Sequence, residues 1–522
     1  MRKKIYKWHR TLSLIISVPV ILWASSGFMH PIMTNIRPHI ATQSYNAPGI
    51  DSSQLKRSLQ QCLQENKIDS FNNVHIVQMG GQQFYQVILD DNDSDIRYIS
   101  TRTGHLLKNG DELYARFLAK FFLEGSGKKD SLAIEPMAAS DRDCCIMATT
   151  NVMNSSGSKI IAVSKLSHFN EEYKYINRLL PVYKVSFSRN DGIRIYVETA
   201  SARFGFAVDN KRAAFETFFG ICHTWEWMNS LGNTKYFIMV AITLTGFLTT
   251  LLGLYIFFTT KTKRSDHSLV KARRNHRYTS LVASLFTLLF TFSGGFHALD
   301  QILPKDKLPD HLHQSIAAAT IGQDFKKLDS LVAHRAIQNI SICRMNDKQY
   351  WQLYLKRSSK AFDGRTDLMK NMSVSLPDVV YVELPGYTVL QNGDEQYARY
   401  LASGFSNNSF EKIKTVMPVT TFTNEYNFID KRLPVWKVGY AVNDNERFYV
   451  ETSTGFLSTR IRDKDLWENY SFNFLHKHHF MDWGGKTVRD ASTMFWAAMQ
   501  IAMVIVGLIL YFRYRKRKAS SA

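Results

Sequence analysis

Cysteine is scarce in this chain. There are five in 522 residues, at 62, 144, 145, 222 and 343, and none forms a Cys-x-x-Cys pair. That spacing excludes a zinc-ribbon or dithiol redox motif. A disulfide from Cys62 to Cys144 or Cys145 and free buried thiols remain equal alternatives. No Gly-x-Gly-x-x-Gly sits at a strand-to-helix turn, so nothing marks a dinucleotide site. Acidic residues are outnumbered, 45 against 65 basic, for a net charge of +20. The excess hugs the ends of apolar runs and no base-stacking module accompanies it, which argues against nucleic acid as a partner.

What the chain does have is four apolar runs, about Thr11 to Pro31, Tyr236 to Phe258, Thr279 to Leu299 and Met494 to Phe512. Each has about the 20 residues that a membrane span requires. Long mixed segments between them account for a mean hydropathy of only −0.21. Basic clusters precede the first run (Arg2, Lys3, Lys4, Lys7), fill the loop between the second and third (Lys261 to Arg277) and follow the fourth (Arg513 to Lys518). The positive-inside rule puts all three in the cytoplasm, with both termini inside and both large segments outside. Ala24-Ser25-Ser26 mimics a signal-peptidase site, but a matching run in mid-chain favours a retained helix.

The expected order is a transmembrane helix (1–32), an external domain (33–234), a second helix (235–259) and a basic loop (260–277). A third helix (278–299), a second external domain (300–491), a fourth helix (492–513) and a basic tail (514–522) follow. Pro19 is the only proline expected inside a span.

The halves repeat. Asn109-Gly110-Asp111-Glu112 returns as Asn392-Gly393-Asp394-Glu395, Leu180-Pro181-Val182 as Leu433-Pro434-Val435, and Tyr196-Val197-Glu198-Thr199 as Tyr449-Val450-Glu451-Thr452. Parallel halves predict a pseudo-twofold axis along the membrane normal. In the external segments, Val74 to Gln78, Gln83 to Leu89, Ile96 to Ser100, Leu179 to Ser188 and Ile193 to Thr199 read as strands. Glu112 to Phe122 reads as a helix. The fold class is therefore a four-helix membrane protein with two external α+β domains, built by tandem duplication.

Histidines mark the same places in both halves. His9-Arg10 and His276-Arg277 open the first and third runs, and Ser26-Gly27-Phe28-Met29-His30 and Ser293-Gly294-Gly295-Phe296-His297 close them. The two histidines of each run are 21 residues apart, roughly 31 Å along a helix, or about one hydrocarbon core. They lie only about 60° apart around the helix, so both can face a bundle interior. His223 and His476 precede the second and fourth runs at matching positions. Two levels result: His9 with His276, and His30, His223, His297 and His476 at the other end. Neutral imidazoles meeting from different helices are a common way to hold haem iron. A single such histidine is more often an interfacial anchor, but six at repeat-related places favour ligation.

Other groups carry weaker signals. His311 and His313 form a loop pair that reads as solvent-facing, and His478 as a neighbour of the motif. Trp225, Trp227 and Trp483 read as interfacial belt residues, Met29 and Met33 as packing. Tyr114 with Arg116, and Tyr397 with Arg399, read as packing and pairing within their domains.

The chain resembles the PepSY-associated transmembrane family, the iron-regulated membrane proteins. The likeness rests on His-Arg opening a membrane helix that closes with Ser-Gly, on strands ending in Thr-Gly (Thr103-Gly104, Thr454-Gly455), and on Leu475-His476-Lys477-His478-His479-Phe480-Met481-Asp482 before a span. It covers most of both halves. It implies a haem-containing ferric-siderophore reductase of the bacterial inner membrane, with PepSY-like periplasmic domains that receive an iron chelate. The haem is expected to be b-type, one at each level, because no Cys-x-x-Cys-His attachment motif is present. Electrons then come from a separate donor, quinol or a cytoplasmic reductase. His479 is a further candidate ligand, although Glu226 stands at its counterpart. The alternatives are a membrane-anchored PepSY binding or regulatory protein, and an iron-chelate transport component.

Overall fold

The computed structural model describes residues 2–90, 93–125, 159–261, 267–304, 306–322, 325–356, 374–406, 408 and 410–519. Cys144, Cys145 and part of the basic loop, Lys263 and Arg264 included, lie outside these. The described residues divide into a helical unit (Met1–Arg37, Lys211–Asp306, Lys464–Ala522) and a sheet unit (Pro38–Asn210, Lys307–Asp463).

Among the described residues of the helical unit, four helices are long and apolar enough to cross a membrane. The helices run Arg2–Asn35, Asn233–Thr259, Ser268–Asp300 and Gly485–Ala519, and are called here the first to fourth spans. They exceed the apolar runs because polar and basic residues continue the helix beyond the hydrophobic stretch. The first holds two prolines, Pro19 and Pro31, where one was expected. Hydroxyls along the spans give their protons to carbonyls three or four residues back, as Thr249 does to Thr245 and Thr291 to Thr287, which satisfies them without water. Gln500 in the fourth span is buried. It accepts from Thr287 at 2.7 Å and donates to the Ala283 carbonyl, tying the third and fourth spans together.

In the sheet unit every strand pairing is antiparallel. A short strand β1 (Ser70–Phe71) precedes β2 (Asn73–Met79), β3 (Gln82–Ile88) and β4 (Ile96–Ser100), a three-stranded meander whose β2–β3 turn uses Gly80 and Gly81, both at positive φ. The helix Gly110–Glu124 follows, then the meander β5 (Ile160–Leu166), β6 (Val182–Phe187), β7 (Arg194–Glu198) and β8 (Arg203–Val208).

The second segment has the same order with one strand more in its first meander. After β9 (Ile316–Ala317) come β10 (Ile337–Met345), β11 (Lys348–Leu355), β12 (Asp378–Leu384) and β13 (Thr388–Leu390). The helix Gly393–Ser406 follows, then β14 (Ile413–Val419), β15 (Val435–Tyr440), β16 (Arg447–Glu451) and β17 (Phe456–Ile461). Arg116 pairs with Glu112 and Arg399 with Glu395 at the same helical spacing.

The two segments pack as one compact unit. Strand β1 pairs with β9, and Val74, Ile76, Ile340, Ile342 and Trp351 share a core drawn from both. Along this seam the Asn73 side-chain oxygen accepts from the Ile342 amide at 3.1 Å, and the Asn339 oxygen from the Ile76 amide at 3.0 Å. The exchange is reciprocal. Deeper still, Arg432 bonds Glu198 and Glu451, and Arg203 also bonds Glu451. Glu198, Arg432 and Glu451 are nearly inaccessible. Removing any one of them would leave a buried charge without its partner.

Candidate functional site: histidines in the helical unit

All six histidines singled out in the sequence lie in the helical unit, and all are half-buried. At the first level, near the basic chain ends, each histidine packs on a glycine of the following span. A β-carbon on Gly253 would sit 3.1 Å from His9 Cε1, and one on Gly507 would sit 3.2 Å from His276 Cε1. An alanine at either place would make the ring give by a few tenths of an ångström. His9 Nδ1 is 3.1 Å from the Thr249 carbonyl, and His276 Nδ1 is 3.4 Å from Ser280 Oγ.

At the second level each half builds a row of rings. His30 is 5.2 Å from Phe219, which stacks on His223 at 4.5 Å. His297 stacks on Phe472 at 4.5 Å, which stacks on His476 at 4.8 Å. Phe219 and Phe472 stand four residues before their histidines, one helical turn, so the pairs share a face. In both rows the chain then loosens into a wider turn. The amides of Thr224 and Lys477 bond the carbonyls five residues back, and Phe472–His476 is a π-helical segment. Such turns concentrate at functional sites.

The two rows meet at His223 and His476, whose ring centroids are 6.0 Å apart with planes at 78°. Ser26 Oγ lies 3.0 Å from His223 Nδ1, and Ser293 Oγ 3.1 Å from His476 Nδ1. Thus the Ser-Gly that closes the first and third spans reaches the histidine before the second and fourth. The rows differ at their far ends. His297 Nδ1 bonds Glu468 Oε1 at 2.6 Å, whereas His30 has Arg212, Lys477 and Lys486 in its electrostatic surroundings, with Asp490.

The remaining candidates fall elsewhere. His479 pairs with Asp482 at 2.8 Å. His478 is fully buried and stacks on Phe290 at 5.2 Å. Trp225 is buried within the protein. It stacks on Trp23 at 5.0 Å, and its indole N–H has the Cys222 carbonyl as acceptor. Trp227 and Trp483 are exposed. His311 and His313 line a shallow cleft in the sheet unit with His75, Asp90, Asp93 and Arg344. Among the described residues, no three His, Cys, Asp or Glu side chains gather as a metal site.

Sequence reasoning missed Gly253 and Gly507, Ser26 and Ser293 as histidine partners, and Phe219 and Phe472. The signal was present: Gly253-Leu254 and Gly507-Leu508 occupy matching places in the second and fourth spans. No protein-family model and no curated protein matches the chain.

Proposed function

We propose that the chain is a haem-binding reductase of the bacterial inner membrane, of the PepSY-associated kind and built by tandem duplication. In this reading it passes electrons outward to a ferric chelate such as a siderophore. Both termini are cytoplasmic, and the sheet unit is periplasmic, with a PepSY-like domain in each segment.

The observation that carries the reading is the meeting of His223 and His476. Their ring centroids lie 6.0 Å apart, near enough that both imidazoles could serve one haem iron if it were bound between them. Within each row, a phenylalanine ring contacts both histidines. That arrangement supports ligation across the halves by His223 and His476, and flanking roles for His30 and His297. At the cytoplasmic level His9 and His276 are the corresponding pair, each given space by a glycine.

Haem, when bound, supplies a one-electron couple at each level. The chain's own residues hold the imidazoles, exclude water with Phe219, Phe472 and Phe290, and fix the distance between levels through the rigid spans. No side chain acts as acid or base in moving an electron. The ferric chelate is reduced by one electron and the donor, quinol or a cytoplasmic reductase, is oxidised. Oxygen-donor chelators hold the softer ferrous ion less tightly, which frees the iron.

The test compares single variants in proteoliposomes with an internal electron donor and an external ferric chelate. His223→Ala and His476→Ala should each abolish the outer haem signal and chelate reduction, while His30→Ala keeps the haem. Wild-type reduction in the first two variants overturns the assignment.

A further inference from the structure

Ser26 and Ser293 stand one turn before His30 and His297, and both are buried, at 0% and 1% exposure. Each hydroxyl has three neighbours, two backbone carbonyls of its own helix and one histidine ring nitrogen. Ser26 Oγ donates to the Leu22 carbonyl at 2.8 Å, and Ser293 Oγ to the Leu289 carbonyl at 2.7 Å, the usual back-bond to the residue four earlier. A hydroxyl has one proton and two lone pairs. With the proton given to the helix, only a lone pair faces the histidine ring. The Nδ1 atoms of His223 and His476, at 3.0 and 3.1 Å, are then placed to carry hydrogen and donate it. A neutral imidazole has one N–H, so Nε2 is left as a bare lone pair. The same logic holds at the other level, where the Thr249 carbonyl can only accept and His9 Nδ1 lies 3.1 Å away.

We propose that Ser26 and Ser293 are positioning residues for the second-level haem: each holds Nδ1–H of the histidine before the next span and so presents Nε2 to the iron. This rests on the haem reading and deepens it. The arrangement occurs once in each half with nearly the same distance, so the two imidazoles are prepared alike. An N–H that donates makes its imidazole a stronger electron donor. The serines therefore favour the ferric state and lower the potential of the haem that faces the chelate.

The experiment uses the full chain in detergent with its native haem content. Ser26→Ala, Ser293→Ala and the matching Ser→Thr variants are compared by retention of haem, redox potentiometry and low-temperature electron paramagnetic resonance. Each alanine variant should lose second-level haem about 10- to 100-fold more readily, with a higher midpoint potential and altered low-spin signal. The first-level haem and the extraction yield stay unchanged, which separates this effect from misfolding. Threonine keeps the hydroxyl and restores both readouts. Nitrogen-15 spectra of histidine-labelled full-length protein, differenced against His476→Gln, report the tautomer in the haem-free fraction, and Nδ1–H is expected. Haem in the wild type with unaffected alanine variants, or Nε2–H tautomers, overturns the serine proposal alone. No haem in the wild type overturns the parent reading and this one with it.

Discussion

Gly253 and Gly507 give a quantitative test of the first histidine level. In Gly253→Ala the new methyl would sit 3.1 Å from His9 Cε1, and in Gly507→Ala 3.2 Å from His276 Cε1. Carbon atoms pack best at about 3.5–4.0 Å, so each ring must retreat by about half an ångström. His9 cannot slide freely, because its Nδ1 is bonded to the Thr249 carbonyl. Twisting a side chain about 30° off its rotamer costs about 0.5–1.5 kcal/mol, which weakens haem binding roughly two- to tenfold. The same change stabilises the helix by about 0.5–1 kcal/mol, since alanine replaces glycine mid-helix. The two effects are read separately. Extraction yield and thermal stability of the haem-free chain should hold or rise, while haem titration shows weaker binding at the first level only. Gly27→Ala is the control, because nothing lies within 4 Å of its β-carbon. Unchanged haem affinity in both first-level variants would refute the reasoning, as would loss confined to the second level.

The buried ion cluster of the sheet unit should make its stability fall in acid. Burial alone would raise the Glu451 carboxyl, but the Arg203 and Arg432 guanidiniums outweigh it and hold the group down at about 2. A depressed carboxyl stabilises the fold above its unfolded pKa, near 4.3, and that contribution is lost as pH drops toward about 2. Thermal unfolding of the full chain in detergent should show this slope, and Glu451→Gln should flatten it. Arg432→Met should cost about 3–5 kcal/mol, because it leaves buried carboxylates short of a partner; denaturant unfolding of the sheet unit measures it. Reporter fusions should place the Lys263–Arg274 loop inside and sites near Gly110 and Gly393 outside. An active periplasmic reporter in that loop would overturn the topology.

Much of the scaffold was legible because it follows from one-dimensional patterns. Unbroken apolar runs gave the four long helices, and alternation around Gly80-Gly81 gave β2 and β3. The halves matched by short identical strings such as Asn-Gly-Asp-Glu. What stayed hidden depends on meetings between distant segments. The seam of Asn73 with Ile342 and Asn339 with Ile76 joins polar side chains to backbone amides, a pairing with no periodic trace. For that reason the two long segments between the apolar runs read as separate domains although they share a core. The six histidines and their two levels were visible, but the rows of rings within the second level were not. Phe219 and Phe472 look like ordinary apolar helix residues until their rings are seen against the histidines. Trp225 was read as a belt residue because its sequence neighbourhood ends at a span, while its stacking partner, Trp23, lies about 200 residues away.

The most direct test of the central claim is the visible spectrum of the full chain, purified after expression with ample haem and followed by a pyridine haemochrome assay. The account predicts non-covalent b-type haem at both levels, with the low-spin ferric signature of two imidazole ligands. His223→Ala and His9→Ala should each remove a different half of it. A wild-type protein that carries no haem, or whose haem keeps its spectrum in both variants, would contradict the account.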